Sequence, residues 1–125
     1  MRLLIVDDEP NVLFAISSYL WGTNWLVDCA SELEEAQALL ANVTYDVVIT
    51  DVRLSEVQQA EGLHVISFVR DRAIDVPLVV LTAFETEEIR REVERLGVNA
   101  LLCKPQPLEL IVRLIDELAA ARIVA

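Results

Sequence analysis

Acidic, hydroxyl and ammonium side chains follow four of the short apolar runs in this sequence. In chain order these residues are Asp7, Asp8, Asp51, Thr82 and Lys104. The carboxyl ends of parallel strands meet at one edge of a sheet, where ligands bind at the switch point of the strand order. The sequence therefore predicts three carboxylates, one hydroxyl and one ammonium group in a single crevice.

Three carboxylates in one crevice repel one another and raise at least one pKa unless a cation lies among them. Mg²⁺ suits such a site, because it takes oxygen ligands, keeps several waters and bridges to a phosphoryl oxygen. Lys104 adds a positive charge at the same edge, and Thr82 adds a hydrogen-bond donor. The set predicts a carboxylate that accepts a phosphoryl group in line, with metal and lysine offsetting the charge.

Short apolar runs alternate with stretches of helical period along the whole chain, a pattern typical of βα units around a parallel sheet. The predicted strands are Leu3–Val6, Trp25–Cys29, Val47–Thr50, Leu78–Leu81 and Ala100–Cys103. The predicted helices are Pro10–Trp21, Glu32–Asn42, Leu63–Asp71, Glu87–Leu96 and Pro107–Val124. Four strands are apolar almost throughout, whereas the second carries Asp28 and is expected at an edge. Ser31 with Glu34 predicts a capping box for the second helix, and Thr86 a cap for the fourth.

Length and composition favour one compact domain over residues 1–125, and the alternating pattern gives it the α/β class. Hydrophobic residues make up 54% of the chain and charged residues 25%, with a mean hydropathy of +0.43, which excludes a disordered chain. The length leaves room for one domain of common size. The predicted fold class is a doubly wound three-layer sandwich, with helices on both faces of a parallel sheet.

The chain is strongly acidic, with 10 Lys and Arg against 21 Asp and Glu and a formal net charge of -11. Repulsion from phosphates and anionic lipid argues against direct binding to nucleic acid or to a membrane. The apolar runs fall far short of the ~20 residues that span a bilayer, and a signal-peptide pattern is lacking, so we expect a cytoplasmic protein. The sequence also lacks glycine-rich nucleotide loops and zinc or haem motifs.

Four motifs resemble, in order and spacing, the receiver domain of two-component response regulators. They are Asp7-Asp8-Glu9-Pro10, Asp51, Thr82-Ala83 and Lys104-Pro105. The resemblance covers nearly the whole chain and implies a flavodoxin-like (βα)5 fold with its sheet in the order 2-1-3-4-5. It also implies a phosphoprotein that is a signalling switch, catalysing only its own phosphorylation and dephosphorylation.

The resemblance implies a role for each of these residues. Asp51 would take a phosphoryl group from a sensor histidine kinase or a phosphotransfer protein. Mg²⁺, or Mn²⁺ in its place, would be held by Asp7, Asp8, Asp51 and the backbone carbonyl of Arg53. The residues that bind the phosphoryl group and form the switch would be Thr82, Ala83, Lys104 and Pro105. The peptide bond before the proline would be cis.

The sheet order that the resemblance implies also separates the two cysteines. Cys29 and Cys103 fall on the second and fifth strands, at opposite edges of the sheet and about 19 Å apart. A disulfide cannot span that distance. We expect both to be small residues of the core.

The sequence departs from the family pattern at the loop after Asp51. The family usually has a proline four residues after the phosphorylated aspartate and a glycine about four residues further on. Here Ser55 stands first and Gly62 comes about three residues late, so the loop Ser55–Glu61 is longer than usual. It is either a tolerated surface insertion or a change in access to the site.

Three single residues near the site also bear on its function, by departing from the family pattern or by occupying positions that affect dephosphorylation. Leu101, three residues before the lysine, replaces an aromatic ring that turns inward in the family, so we expect coupling to the output surface to be altered, weaker or carried by helix movement alone. Arg53 and Phe84 occupy positions that tune dephosphorylation. We expect the Phe84 ring to hinder an attacking water and to give a long-lived phosphoryl-aspartate.

The predicted fifth helix has more apolar surface than packing on a sheet requires. Its apolar residues span about 220° of the helix, whereas a surface helix needs an arc of about 100°. The part expected to remain uncovered is Leu110, Leu114 and Ala121. It indicates a homodimer or effector contact through the fourth and fifth helices, with ordinary exposed Leu and Ala as the alternative.

Two other functions stay open. A pseudo-receiver would keep the fold as an interaction module without phosphotransfer, and Leu101 and the longer loop make that conceivable. The complete polar set at the strand ends argues against it. A phosphatase of the haloacid dehalogenase kind also uses an aspartate, Mg²⁺ and a lysine, but expects a second aspartate where this sequence has Arg53.

Overall fold

A computed structural model describes residues 1–52, 61–72, 75–83 and 85–124 of the chain. Strands and helices alternate along it, with bounds that agree with the predicted ones to within two residues. The strands are β1 (Arg2–Val6), β2 (Leu26–Ala30), β3 (Val47–Thr50), β4 (Leu78–Thr82) and β5 (Ala100–Cys103). The helices are α1 (Pro10–Leu20), α2 (Leu33–Asn42), α3 (Glu61–Asp71), α4 (Glu87–Arg95) and α5 (Leu108–Val124).

The five strands form one parallel sheet in the order β2-β1-β3-β4-β5. This confirms both the predicted fold class and the strand order. The chain starts in the interior of the sheet at β1, moves out to the edge strand β2, and then crosses over β1 to β3. The strand order thus reverses between β1 and β3, and the carboxyl ends of these two strands flank the crevice where such folds bind ligands.

Helices cover both faces of the sheet, and each face has its own core. Leu4 of β1 packs with α2, α3 and α4, whereas Leu3 and Ile5 pack with α1 and α5. All three side chains are buried, because neighbouring strand residues point to opposite faces and both faces are covered. Among the described residues, no helix has the length and apolar character that crossing a membrane requires.

The two cysteines lie on the edge strands of the sheet, and their exposure corrects one prediction. Cys29 of β2 and Cys103 of β5 are free thiols, as expected for opposite edges of the sheet. Both are exposed, so the prediction that they fill the core is wrong. An edge strand is covered less completely than a central one, so the edge positions expected for these two strands already argued for exposed cysteines.

The start of α2 differs from the predicted capping box. The N-cap residue is Glu32, and its side chain makes no capping hydrogen bond. The Glu35 carboxylate, rather than that of Glu34, accepts a hydrogen bond from the Ser31 N–H at 2.7 Å. The predicted cap of α4 is confirmed, since the Thr86 hydroxyl oxygen accepts a backbone N–H of the first turn at 3.2 Å.

Gly62, near the start of α3, lies directly against the backbone at the end of β3. Its N–H donates to the Val52 carbonyl at 3.0 Å. A Cβ atom on Gly62 would overlap the Asp51 carbonyl oxygen and would come within 2.5 Å of the Val52 Cα. These neighbours are backbone atoms, which cannot swing aside as the end of a side chain can. The close approach of α3 to Asp51 therefore requires glycine here.

We predict that Gly62→Ala destabilises the protein, although alanine normally favours a helix by about 1 kcal/mol over glycine. The overlap should outweigh that gain and lower the free energy of unfolding by about 2 kcal/mol, measured by urea denaturation. Gly22→Ala is the matched control. Gly22 has a φ of 84° and open space around it, so only left-handed strain of about 1 kcal/mol is expected. A Gly62→Ala variant as stable as the wild type would contradict the close approach.

Candidate functional site

Asp7 and Asp51 lie side by side at the carboxyl ends of β1 and β3. The pattern of strand hydrogen bonds continues one step beyond each strand. The Asp51 N–H donates to the Val6 carbonyl, and the Asp7 N–H donates to the Ala30 carbonyl, both at 3.0 Å. The two aspartates are therefore fixed in register with the sheet, and both are buried. Asp8, one residue further along, is exposed at the rim.

The Lys104 ammonium group holds these acidic side chains together. Its Nζ lies 2.7 Å from Oδ2 of Asp7 and 2.9 Å from Oδ2 of Asp51, and the lysine side chain is only 11% exposed. The Lys104 N–H donates to the Thr82 carbonyl at 2.8 Å, which fixes the lysine at the end of β4. One cation thus neutralises part of the charge of two buried carboxylates, an arrangement that is strongly destabilised when one partner is removed.

Glu9 is a site residue that the sequence analysis did not single out. Its Oε1 lies 3.2 Å from Nζ of Lys104, at the exposed rim. Its N–H donates to Oδ1 of Asp7 at 2.9 Å, so the Asp7 side chain closes the turn that brings Glu9 back. The sequence signal for Glu9 was the run of three successive acidic residues after β1. A turn in this run brings the third acidic side chain to the same lysine that pairs with the first.

Four carboxylates converge at this sheet edge, and we call them, with Lys104, the acidic crevice. Oxygen atoms of four side chains lie within 4.8 Å of one another, those of Asp7, Asp8, Glu9 and Asp51. Each of these donors is a carboxylate oxygen, which is the ligand that hard divalent cations prefer. Mg²⁺ and Mn²⁺ therefore fit the donor chemistry of the acidic crevice.

Burial and mutual charge shift the pKa values in the acidic crevice. Burial raises the pKa of Asp7, and the hydrogen bonds from Lys104 and from the Glu9 N–H oppose this only in part. At Asp8, partial burial and the charge of Asp51 both raise the pKa. Burial disfavours the charged form of Lys104, but its two buried carboxylate partners together outweigh it and raise the lysine pKa. The crevice therefore carries surplus negative charge even with the lysine in place.

The remaining predicted switch residues lie around Lys104. Thr82 is fully buried at the end of β4, and Ala83, which follows it, is exposed. The peptide bond between Lys104 and Pro105 is cis, which is the geometry that the resemblance implies. Ala83 and Pro105 also line a groove between α1 and α5 that opens beside Lys104. The fold thus brings the hydroxyl residue and the ammonium residue to the same edge.

Several predicted residues lie outside the part of the chain that the structure describes. They are Arg53, Phe84 and residues 55–60 of the loop Ser55–Glu61. The backbone metal ligand, the two tuning residues and the effect of the longer loop stay predictions.

Leu101 and the predicted α5 contact residues are not members of the acidic crevice. Leu101 is half-buried in β5, packs against the core on the α4 side, and lines a groove with residues of α4. On α5, Leu110 is 40% exposed and Ala121 is exposed, whereas Leu114 packs half-buried on the core. These residues pack on the core or on the surface of β5 and α5, whereas the structure brings the predicted Asp7, Asp8, Asp51 and Lys104 together.

Residues 3–116 match the family described as the response regulator receiver domain. The chain is 33% identical over 124 residues to an uncharacterized 14.6 kDa protein of Leptolyngbya boryana, covering 97% of this chain and 92% of that one. It is 31% identical over 108 residues to the regulatory protein AtoC of Escherichia coli, covering 86% of this chain but only 23% of AtoC. A CheY-like receiver domain protein of Methanospirillum hungatei shares the fold, with a TM-score of 0.86 and 21% identity over 96% of this chain and 94% of that one.

We predict that Asp8→Asn stabilises the protein in the absence of divalent cations. The variant removes a carboxylate whose charge the folded state disfavours, so its unfolding temperature in EDTA near neutral pH should be a few degrees higher. The increase in unfolding temperature should reach its full size at pH values above the raised pKa of Asp8. It should vanish as the pH falls below the ordinary value of 3.8, because wild-type Asp8 is then protonated in both states.

Circular dichroism melting curves in EDTA, from about pH 7 down to about pH 3, measure this difference. Asp75→Asn is the control, because Asp75 is exposed and pairs with Arg122 far from the acidic crevice. That control should not raise the unfolding temperature. An Asp8→Asn variant less stable than the wild type near neutral pH would contradict the surplus of negative charge.

Proposed function

The chain belongs to the response regulator receiver domain family, and on that premise we propose that Asp51 accepts a phosphoryl group from a sensor histidine kinase or a phosphotransfer protein. One observation carries the proposal: the buried Asp51 carboxylate lies 2.9 Å from Lys104 inside a crevice with two further aspartates. An isolated surface aspartate has neither this positioned cation nor these neighbouring ligands. Preorganised charges of this kind supply much of the stabilisation that a phosphoryl transfer needs.

The proposed transfer forms one bond and breaks another. A carboxylate oxygen of Asp51 attacks the phosphorus of a phosphohistidine, and an oxygen–phosphorus bond forms. The phosphorus–nitrogen bond on the opposite side breaks, and its electron pair leaves with the imidazole. Lys104 then exchanges its contact with the Asp51 carboxylate for a phosphoryl oxygen, and the Thr82 hydroxyl donates to another.

The acidic crevice is the proposed site for Mg²⁺, with Mn²⁺ as a substitute. The proposed ligands are the carboxylates of Asp7, Asp8 and Asp51 and the backbone carbonyl of Arg53. When bound, the ion offsets the negative charge of the aspartates and of the phosphoryl oxygens. Asp7 is held in place by Lys104 and by the Glu9 N–H, so it presents its carboxylate in one orientation.

A switch that modifies only itself fits these residues better than either alternative function. A pseudo-receiver would not need a buried aspartate in contact with a lysine, surrounded by metal-ligating carboxylates. A phosphatase of the haloacid dehalogenase kind would need an acid/base aspartate at the position of Arg53. We therefore confine the proposed catalysis to the phosphorylation and dephosphorylation of Asp51.

The proposed output surface is formed by α4, β5 and α5. Phosphorylation shifts a two-state equilibrium, and Thr82 couples to the chain after β5 through the hydrogen bond between its carbonyl and Lys104. Because Leu101 has no ring to turn inward, displacement of α4 carries the change. The proposed partner is an effector domain or a second copy, in contact with Leu110, Leu114 and Ala121. Direct contact with nucleic acid is disfavoured by the net charge of -11.

Phosphoryl transfer is tested by the intact mass of the protein after incubation with Mg²⁺ and acetyl phosphate. We expect one phosphoryl adduct, about 80 Da, on the wild type and on Asp75→Asn, and none on Asp51→Asn or in EDTA. Asp75→Asn is the matched control, since it also loses one carboxylate but at an exposed position. An adduct that persists on Asp51→Asn would show that Asp51 is not the acceptor. No adduct on the wild type, where a known receiver reacts, would favour the pseudo-receiver.

A further inference from the structure

The guanidinium group of Arg70, near the end of α3, joins three segments of the chain. Its Nε donates to the Leu96 carbonyl at 3.3 Å and its Nη2 donates to the Gly97 carbonyl at 2.8 Å, both directly after α4. Its Nη1 donates to the Val76 carbonyl at 2.9 Å, shortly before β4. One side chain of α3 thus holds both the end of α4 and the segment that enters β4.

The chain leaves α4 through a Schellman motif, which fixes the same end from within. The N–H of Gly97, a residue with a φ of 73°, donates to the Glu94 carbonyl at 3.1 Å. The Val98 N–H donates to the Val93 carbonyl at 3.3 Å. These bonds satisfy carbonyls inside the helix, whereas those of Leu96 and Gly97 follow its last turn and need donors from outside. The guanidinium group of α3 supplies them.

The N-terminal end of α4 is held less firmly. The Thr86 hydroxyl oxygen accepts the Ile89 N–H at 3.2 Å, but the first turn carries exposed Glu87 and Glu88. Ile89 is half-buried, and the buried residue of the helix is Val93, in its second half. The attachment of α4 to the rest of the fold is therefore concentrated towards its C-terminal end.

The α3 helix gives Arg70 a fixed base. Its start is joined to the end of β3 by the hydrogen bond from the Gly62 N–H to the Val52 carbonyl. Three of its residues are buried in the core, Val65, Ile66 and Val69. Arg70 lies eight residues after Gly62, about 12 Å further along the helix. The side chain that holds α4 thus extends from an element packed on the sheet.

The two ends of α4 are attached differently, and we infer that Arg70 is a positioning residue that makes the C-terminal end of α4 its fixed end. Displacement then occurs at the N-terminal end, which the chain reaches shortly after Thr82. The helix has nine residues and is about 13 Å long, so a rotation of about 10° moves its first turn by about 2 Å. That phosphorylation causes this movement rests on the proposed function, whereas the fixed end does not.

Residue-resolved amide hydrogen exchange in EDTA, without a phosphodonor, tests the fixed end. In Arg70→Met, exchange at Leu96 and Gly97 should rise by about tenfold or more beyond any rise at Val48. Val48 is buried in β3, so its exchange reports global unfolding. Arg72→Met is the matched control, because Arg72 is an exposed arginine directly after α3 whose guanidinium group lies over a ring of α3 itself. It should leave exchange at both α4 residues unchanged.

A second variant, Arg70→Lys, separates the role of the guanidinium group from a general loss of stability. Lysine keeps the positive charge but lacks the planar fork that reaches several carbonyls at once. Exchange at Leu96 and Gly97 should therefore lie between that of the wild type and that of Arg70→Met. Rises of equal size at Val48 and at Leu96 in both variants would overturn the inference. So would the absence of any rise in either variant.

The exchange of the phosphorylated wild type, with the adduct verified by intact mass, tests which end of α4 moves. We expect a severalfold change at Ile89 and Arg90, whose N–H groups bond to Thr86, and less than about a twofold change at Leu96 and Gly97. Changes of equal size at both ends would overturn the fixed end. If no adduct forms, the proposed function fails, and the selective effect of Arg70→Met still decides the inference.

Discussion

The contact of one lysine with two buried carboxylates is the interaction on which the rest of the site depends. Asp7 and Asp51 are close because β1 and β3 are neighbours in the sheet and end at the same level. Two buried carboxylates at this separation need a counter-charge, since their repulsion is weakly screened away from water. Lys104 supplies it from the other side of β4, where the Thr82 carbonyl holds its backbone. The strand order is therefore what allows the charges to balance.

The balance is incomplete, and this gives the site its chemistry. Among the described residues, one ammonium group faces four carboxylates, and the pKa of Asp7 and that of Asp8 are raised despite it. The unfavourable charge is tolerated because apolar clusters buried on both faces of the sheet stabilise the fold around it. Surplus negative charge and an exposed rim are what the proposed divalent cation would require. In the proposed function, the same lysine then contacts the phosphoryl group.

The parts of the fold and of the site that could be predicted are those that have local signals in the sequence. The apolar period predicted the strands and helices, and the polar residues directly after β1, β3 and β5 predicted Asp7, Asp8, Asp51 and Lys104 of the acidic crevice, because both signals are short in range. Three features depend on neighbours distant in sequence and were missed. Glu9 returns to Lys104 through a turn that the Asp7 side chain closes. Cys29 is exposed because its strand lies at an edge. Gly62 was noted only for its late position in a loop, whereas the backbone of Asp51 requires it.

The most direct test of the central claim is the unfolding temperature of Lys104→Met, measured in EDTA and in excess Mg²⁺. If Lys104 neutralises the buried pair, the variant should unfold several degrees below the wild type in EDTA, and Mg²⁺ should stabilise it more than the wild type. Arg122→Met, which loses its pairing with exposed Asp75, should show no such extra stabilisation. A Lys104→Met variant as stable as the wild type in EDTA, with an equal response to Mg²⁺, would contradict the account.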